Sequence, residues 1–263
     1  MGIRGDVLYA MNRFPEQSTL DQSSDEWPCV DEVLAASRLL RASTSVGTAN
    51  IYIFEKNGVK YLVKSFDKHS LMARWLFGNP TIENEWHILQ ALKETGIQQV
   101  PRAYAKLGKS TLVMEFIEGK QLLSIGHYTQ ATMPPRAFFE QLRDVLHQCH
   151  QAGFAHGDFR RANLLICDEQ SPCILDWATA TYCPPGVFSW RLLKKAFNRQ
   201  QKKSDHYSLL KIIDSYYPEM LTTEERRRGQ PNWLLRFARY LRLHLYRHGI
   251  KKWLKRSRHD EPQ

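Results

Sequence analysis

The feature that most constrains this chain is a pair of short runs around residue 165. His156-Gly-Asp158-Phe-Arg160-Arg-Ala-Asn163 leads into the apolar stretch Leu164-Leu-Ile166, and a second apolar stretch ends in Ile174-Leu-Asp176-Trp-Ala178. Each polar group thus sits in a loop beside a short strand. Two strands joined as a hairpin bring those loops side by side, so Asp158, Asn163 and Asp176 converge. Two carboxylates and one amide oxygen over a single site are what phosphoryl transfer demands. One carboxylate orients the attacking hydroxyl, while the second and the amide hold magnesium on the phosphate oxygens.

The N-terminal half supplies a cation for the same site. Ile51 to Glu55 is rich in β-formers, Asn57-Gly58 is a two-residue hairpin signal, and Val59 to Phe66 reads as the returning strand. Alternation places Leu62, Lys64 and Phe66 on one face of that strand. A lysine on an apolar face needs a partner, unless the strand is an edge from which it snorkels to water. Thr81 to Thr95 has helical spacing, with Thr81 as cap, Asn84 at the capping-box position, Glu83 and Glu85 in the first turns and Gly96 as the stop. Thr111 to Ile117 reads as a buried strand, Pro135 to Gly153 as a long helix, and Asp31 to Leu40 as a short one. Strands with one helix followed by a helical region make an α+β arrangement.

These runs resemble the protein-kinase-like superfamily, with H-G-D-x4-N in place of H-R-D-x4-N and D-W-A in place of D-F-G. The resemblance implies a two-lobed fold. Residues 1–39 form a leader and helix. Residues 40–118 form a small antiparallel-sheet N-lobe with one main helix and the hinge. Residues 119–263 form a mostly helical C-lobe. It implies ATP and Mg2+ as cofactors, Asp158 as catalytic base, and Asn163 and Asp176 as metal ligands. Arg160 takes the place of the lysine that steadies the transferring phosphate. Lys64 grips the nucleotide phosphates and Glu85 pairs with it, Glu83 being the competing candidate. Glu115 and Ile117 lie in the hinge beside adenine, and Gly47, in Ser43 to Asn50, is the one glycine of the phosphate-covering loop. His156 is a scaffold residue, and Asp205, at the start of a helix, caps it, holds the catalytic loop, or does both.

The short catalytic half and the lack of an A-P-E motif depart from regulated protein kinases. Aminoglycoside and choline phosphotransferases share H-G-D and D-W but carry longer helical insertions. The chain is closest to RIO-type kinases and to the bacterial kinases of the lipopolysaccharide inner core (Kdo or heptose). That resemblance implies transfer to a core sugar. The alternatives are a serine acceptor, a small metabolite, or a pseudokinase scaffold.

Charge supports an anionic partner. Lys and Arg number 37 against 27 Asp and Glu, a formal net charge of +10. Twelve of the basic residues lie between Arg226 and Arg258, on a segment where Leu234, Phe237, Leu241 and Leu245 share a helical face. Such a helix fits either an anionic membrane surface or the core, while no nucleic-acid motif accompanies the charge. The partners expected are ATP, an anionic glycan or lipid-linked acceptor, and an anionic bilayer. The five cysteines lack C-x-x-C spacing, residues 15–28 are polar and acidic, and the first 30 residues hold charges from Arg4 to Glu26 with no signal-peptide core. The expected location is the cytoplasm, at the cytoplasmic face of the inner membrane.

Overall fold

The computed structural model describes residues 27–184 and 192–228. The basic C-terminal segment and the leader before Trp27 lie outside these residues. The chain enters through α1 (Val30–Ala36) and then builds β1 (Arg38–Arg41), β2 (Asn50–Lys56) and β3 (Val59–Ser65). A helical run follows. It opens as α2 (Leu71–Ala73), widens into a π turn over Arg74–Gly78 and continues as α3 (Asn79–Lys93). Strands β4 (Ala103–Leu107) and β5 (Thr111–Glu115) complete an antiparallel sheet in the order β1-β2-β3-β5-β4.

The alternation of β3 and β5 sorts the two faces of this sheet. Val63 and Val113 join Tyr52, Phe54 and Val33 in a small cluster beneath α1. Phe66, Leu112 and Met114 face the opposite way into the main core, with Ile82, Leu89 and Leu92 of α3. Strand β4 changes face at a register shift between Ala103 and Ala105, so Ala103 enters the main core and Ala105 the smaller cluster. Asn57 and Gly58 turn the β2–β3 hairpin with φ of 53° and 75°, as the left-handed two-residue turn requires.

The second half is mainly helical. A short β6 (Lys120–Gln121) leads to α4 (Arg136–Gln151), β7 (Phe154–Ala155), β8 (Leu164–Ile166), β9 (Pro172–Ile174) and β10 (Thr181–Tyr182), then α5 (Leu192–Tyr216) and α6 (Thr223–Arg228). Phe138, Phe139, Leu142 and Leu146 of α4 pack with Leu209, Leu210 and Ile213 of α5 in the core that α3 also enters. Strands β8 and β9 pair as the expected hairpin. The architecture is α+β, a sheet lobe with one main helix joined to a helical lobe. No helix among the described residues is long and apolar enough to cross a membrane.

Three element boundaries differ from the sequence expectation. The first helix ends at Ala36, because Ser37 turns extended and Arg38–Arg41 pairs with β2 instead. Thr81 caps nothing. The helix is already running at Leu71, where the Ser70 hydroxyl accepts from Ala73 N at 3.3 Å. Asp205 lies in the middle of α5, which starts at Leu192 rather than near Ser204.

A buried polar knot fixes the end of β3 to β5 and to the helix beyond. Asp67 accepts from Ser110 Oγ at 2.8 Å, Thr111 Oγ1 at 2.5 Å and Ser65 Oγ at 3.2 Å, and it pairs with Arg74 at 2.7 Å. Removing its carboxylate strands several donors at once. Asp67→Ala is expected to lower stability by about 2–4 kcal/mol, and Asp67→Asn by less, measured by urea unfolding.

Candidate functional site

Lys64 lies in a central strand, paired with Ile51 on one side and Leu112 on the other. It has no edge from which to reach water. Its Nζ donates instead to Glu85 Oε1 at 2.6 Å and to Asp176 Oδ1 at 3.0 Å. Burial alone would lower the amine's pKa, but the two carboxylates outweigh it and the pKa is raised. Asp176 is held below the usual carboxylate range, chiefly by the Lys64 charge. Glu85 is pushed up by burial, which exceeds the opposing pull of Lys64. Glu83, the competing candidate, points elsewhere and pairs with Lys106 and His87.

The loop before β8 is shaped around Asp158. His156 is buried, and its Nε2–H donates to Leu175 O at 2.9 Å while Nδ1 accepts from Asp158 N at 3.2 Å. Burial lowers its pKa, and with Nε2 donating and Nδ1 accepting the neutral ring braces the Asp158 loop against the Asp176 loop. Gly157 has φ of 79°, and a Cβ there would lie 2.8 Å from Thr179 O. That backbone explains H-G-D in place of H-R-D. Asp205 holds the same loop from below, accepting from His156 N at 2.7 Å and Gly157 N at 2.9 Å. It therefore serves as the loop anchor, not as a cap.

Asn163 donates from Nδ2 to Asp158 O at 2.9 Å and to Asp158 Oδ2 at 3.2 Å, which turns its Oδ1 to the acceptor role. Arg160 Nε pairs with the same Oδ2 at 3.0 Å. Arg161 interacts instead with the Tyr216 phenol, so Arg160 is the arginine beside Asp158. Asp176 sits at φ 64°, a left-handed backbone that a side chain adopts only when its surroundings impose it. Leu175 N bonds Asn163 O at 2.8 Å, and this ties the Asp176 loop to the Asn163 loop.

The donor set fits magnesium. Among the described residues no cluster of three His, Cys, Asp or Glu could hold a metal alone. Magnesium does not need one, since it binds through one or two protein oxygens with phosphates and water. Asp176 and Asn163 Oδ1 are such oxygens. The expected nucleotide contacts are less well marked. The Glu115 carboxylate accepts from Arg102 N at 3.1 Å and its own N–H donates to Arg102 O at 2.8 Å, so both are engaged with the lead into β4. Ile117 follows β5 half-buried. In the Ser43–Asn50 loop, Thr44 N and Ser45 N donate to Thr48 Oγ1 at 3.2 and 3.1 Å. A Cβ at Gly47 would meet nothing within 4 Å, so no steric demand selects glycine there.

The sequence reading missed Asn84. Its Nδ2 donates to Ala178 O at 2.9 Å and to Ala180 O at 3.0 Å. Next to it, Glu85 Oε1 also accepts from Trp177 N at 3.2 Å. Two consecutive residues of α3 thereby clamp residues 177–180. Only the helical spacing, which puts Asn84 one residue before the paired Glu85, hinted at this role.

Two outcomes follow from this electrostatics. Lys64→Met leaves the buried Glu85 carboxylate without its cation and is expected to cost about 3–5 kcal/mol. The double change Lys64→Met/Glu85→Leu should recover most of that loss, as read by denaturant unfolding. Asn84→Ala strands two carbonyls and should cost about 1–3 kcal/mol. Hydrogen exchange should show that opening concentrated in residues 177–180.

Comparison with known proteins agrees with this geometry. A family model described as RIO domain matches residues 55–186. CBL-interacting serine/threonine-protein kinase 21 of Arabidopsis thaliana is 29% identical over 111 residues, covering 42% of this chain and 26% of that relative. Cyclin-dependent kinase-like 5 of Mus musculus is 32% identical over 89 residues, covering 33% of this chain and 9% of that relative. The chain thus spans about a quarter or less of the length of these two curated relatives. The matched span holds Lys64, Glu85, Asp158, Asn163 and Asp176 and runs over half of the chain, and on that ground the chain belongs to the RIO domain family, within the protein-kinase-like superfamily.

Proposed function

We propose that the chain is an ATP- and magnesium-dependent phosphotransferase that moves the γ-phosphoryl group to a hydroxyl. The observation that carries this reading is the contact of Lys64 with both the buried Glu85 and the partly exposed Asp176, whose loop is tied through Leu175 N to Asn163 O and so to Asp158. ATP is the substrate. The lobe division follows residue 118, with residues 1–39 as the leader, and Glu115, Ile117 and Gly47 line the nucleotide's approach.

In this reading Asp158 accepts the proton as the acceptor oxygen bonds to the γ-phosphorus and the bond to the ADP oxygen breaks. Asn163 fixes the Asp158 carboxylate through Oδ2. Arg160 pairs with that carboxylate at 3.0 Å and stands ready to exchange it for the charge growing on the transferring phosphoryl group. Lys64 neutralises nucleotide phosphate, and Glu85 keeps the amine aimed. Asp176 and Asn163 would hold magnesium, which would supply neutralisation of phosphate charge.

The acceptor we propose is a sugar hydroxyl of the lipopolysaccharide inner core, reached by a protein at the cytoplasmic face of the inner membrane. The net charge of +10 and the basic run from Arg226 to Arg258 support an anionic, lipid-linked acceptor. The RIO domain match and the serine/threonine kinases among the relatives favour a second reading, a protein serine. The test is phosphate transfer from labelled ATP to core oligosaccharide, generic proteins and small alcohols. Transfer to core oligosaccharide supports the first acceptor, and transfer to protein alone supports the second.

Asp158→Ala is expected to lower turnover about 100-fold or more while leaving magnesium-nucleotide binding intact. Asp176→Ala is expected to abolish the thermal shift that magnesium-nucleotide produces. Unchanged turnover in Asp158→Ala would remove Asp158 from the mechanism, while no thermal shift of the wild type with millimolar magnesium-nucleotide would favour a scaffold of kinase shape.

A further inference from the structure

The helical run between β3 and α3 has its amphipathicity reversed. Its inward positions are small. Ala73 and Gly78 are buried, and a Cβ at Gly78 would lie 2.8 Å from Phe66 Cβ, so this turn rests directly on the core. Its outward positions are large and apolar. Leu71 is 79% exposed, Met72 59%, Trp75 71% and Leu76 47%. Leu71 with Trp75, and Met72 with Leu76, stand four residues apart and form one ridge. A surface helix facing water carries the opposite distribution. The ridge is also firmly mounted, through the Ser70 cap and the Asp67–Arg74 ion pair at 2.7 Å. None of its residues takes part in the site described above.

The chemistry of the chain selects an occupant for this ridge. The only polar group on the four exposed side chains is the indole N–H of Trp75, and tryptophan is the residue that favours the boundary between water and lipid. The rest of the chain is strongly basic, with a formal net charge of +10 and twelve Lys or Arg between Arg226 and Arg258. An anionic phospholipid surface complements both properties. Stable attachment to such a surface takes two signals, one inserted apolar group and one basic cluster.

We propose that the Leu71–Leu76 ridge inserts into the interfacial layer of an anionic phospholipid bilayer, with the basic excess as the electrostatic half of the attachment. The proposal rests on the membrane part of the function proposed above and names the residues that enter the lipid. It does not depend on which acceptor is phosphorylated.

The test is co-sedimentation of the full chain with vesicles. One set is phosphatidylcholine with phosphatidylglycerol at about 7:3, the other is phosphatidylcholine alone, each in about 0.1 M and 0.5 M NaCl, a range over which screening removes most surface attraction. Wild type is compared with Trp75→Ser/Leu76→Ser, and with Leu71→Ser/Met72→Ser should the first double variant fail to fold. Unchanged thermal unfolding marks a usable variant. The expected result is wild-type binding to the anionic vesicles at both salts, at least tenfold weaker in the ridge variant, with the high-salt fraction lost. Equal binding by variant and wild type at both salts overturns the ridge and leaves the basic attachment standing. Absence of binding by either protein overturns both. A wild-type dimer that the variant loses, with vesicle binding unchanged, assigns the ridge to a second copy of the chain and overturns the proposal.

Discussion

The site depends on an amine held largely out of water, its side chain 14% exposed. Lys64 is carried into the core by the alternation of a central strand, and a charge there persists only if it is paired and hydrogen-bonded. Glu85 and Asp176 provide the pairing from two elements far away in sequence, α3 and the loop after β9. Their roles differ because their surroundings differ. Glu85 is fully enclosed and serves as the permanent partner. The Asp176 side chain is 42% exposed, with Oδ1 on Lys64. Sheet, α3 and the loop after β9 are thus held to one another through Lys64.

How much of this was legible depended on whether the controlling interaction was local. Lys64 could be placed because period-two alternation and the Asn57-Gly58 turn act over a few residues. Asn163 and Asp176 could be placed because each lies directly beside an apolar run, and Asp158 because it stands five residues before Asn163 in the same loop. Strand β4 could not. Ala-Tyr-Ala-Lys-Leu holds few β-formers, and its strand state comes from pairing with β5 and from a register shift that moves Ala103 and Ala105 to opposite faces. The start of α3 was misplaced for a related reason. Thr81 has the chemistry of a cap, but the chain is already helical when it arrives, because the π turn over Arg74–Gly78 passes helix through instead of ending it. The start of α5 was misread in the same way, since Asp205 has cap chemistry and anchors the loop from mid-helix. Asn84 shows the limit most clearly. Its two acceptors lie 94 and 96 residues away, and no local pattern announces partners at that range.

The same contacts decide what can move. Asn84 and Glu85 are adjacent on α3, and between them they hold Lys64, the N–H of Trp177 and the carbonyls of Ala178 and Ala180. Trp177 is itself fixed, with its ring buried against His156 at 4.8 Å between centroids and its indole N–H on Ile174 O at 2.9 Å. A rotation of α3 that released one of these bonds would release the others, because the two side chains share one helix turn. Each buried group left without a partner would then cost about 1–3 kcal/mol. Intermediate positions of the helix are therefore poor. Displacement of α3 is thereby coupled to displacement of the Asp176 loop.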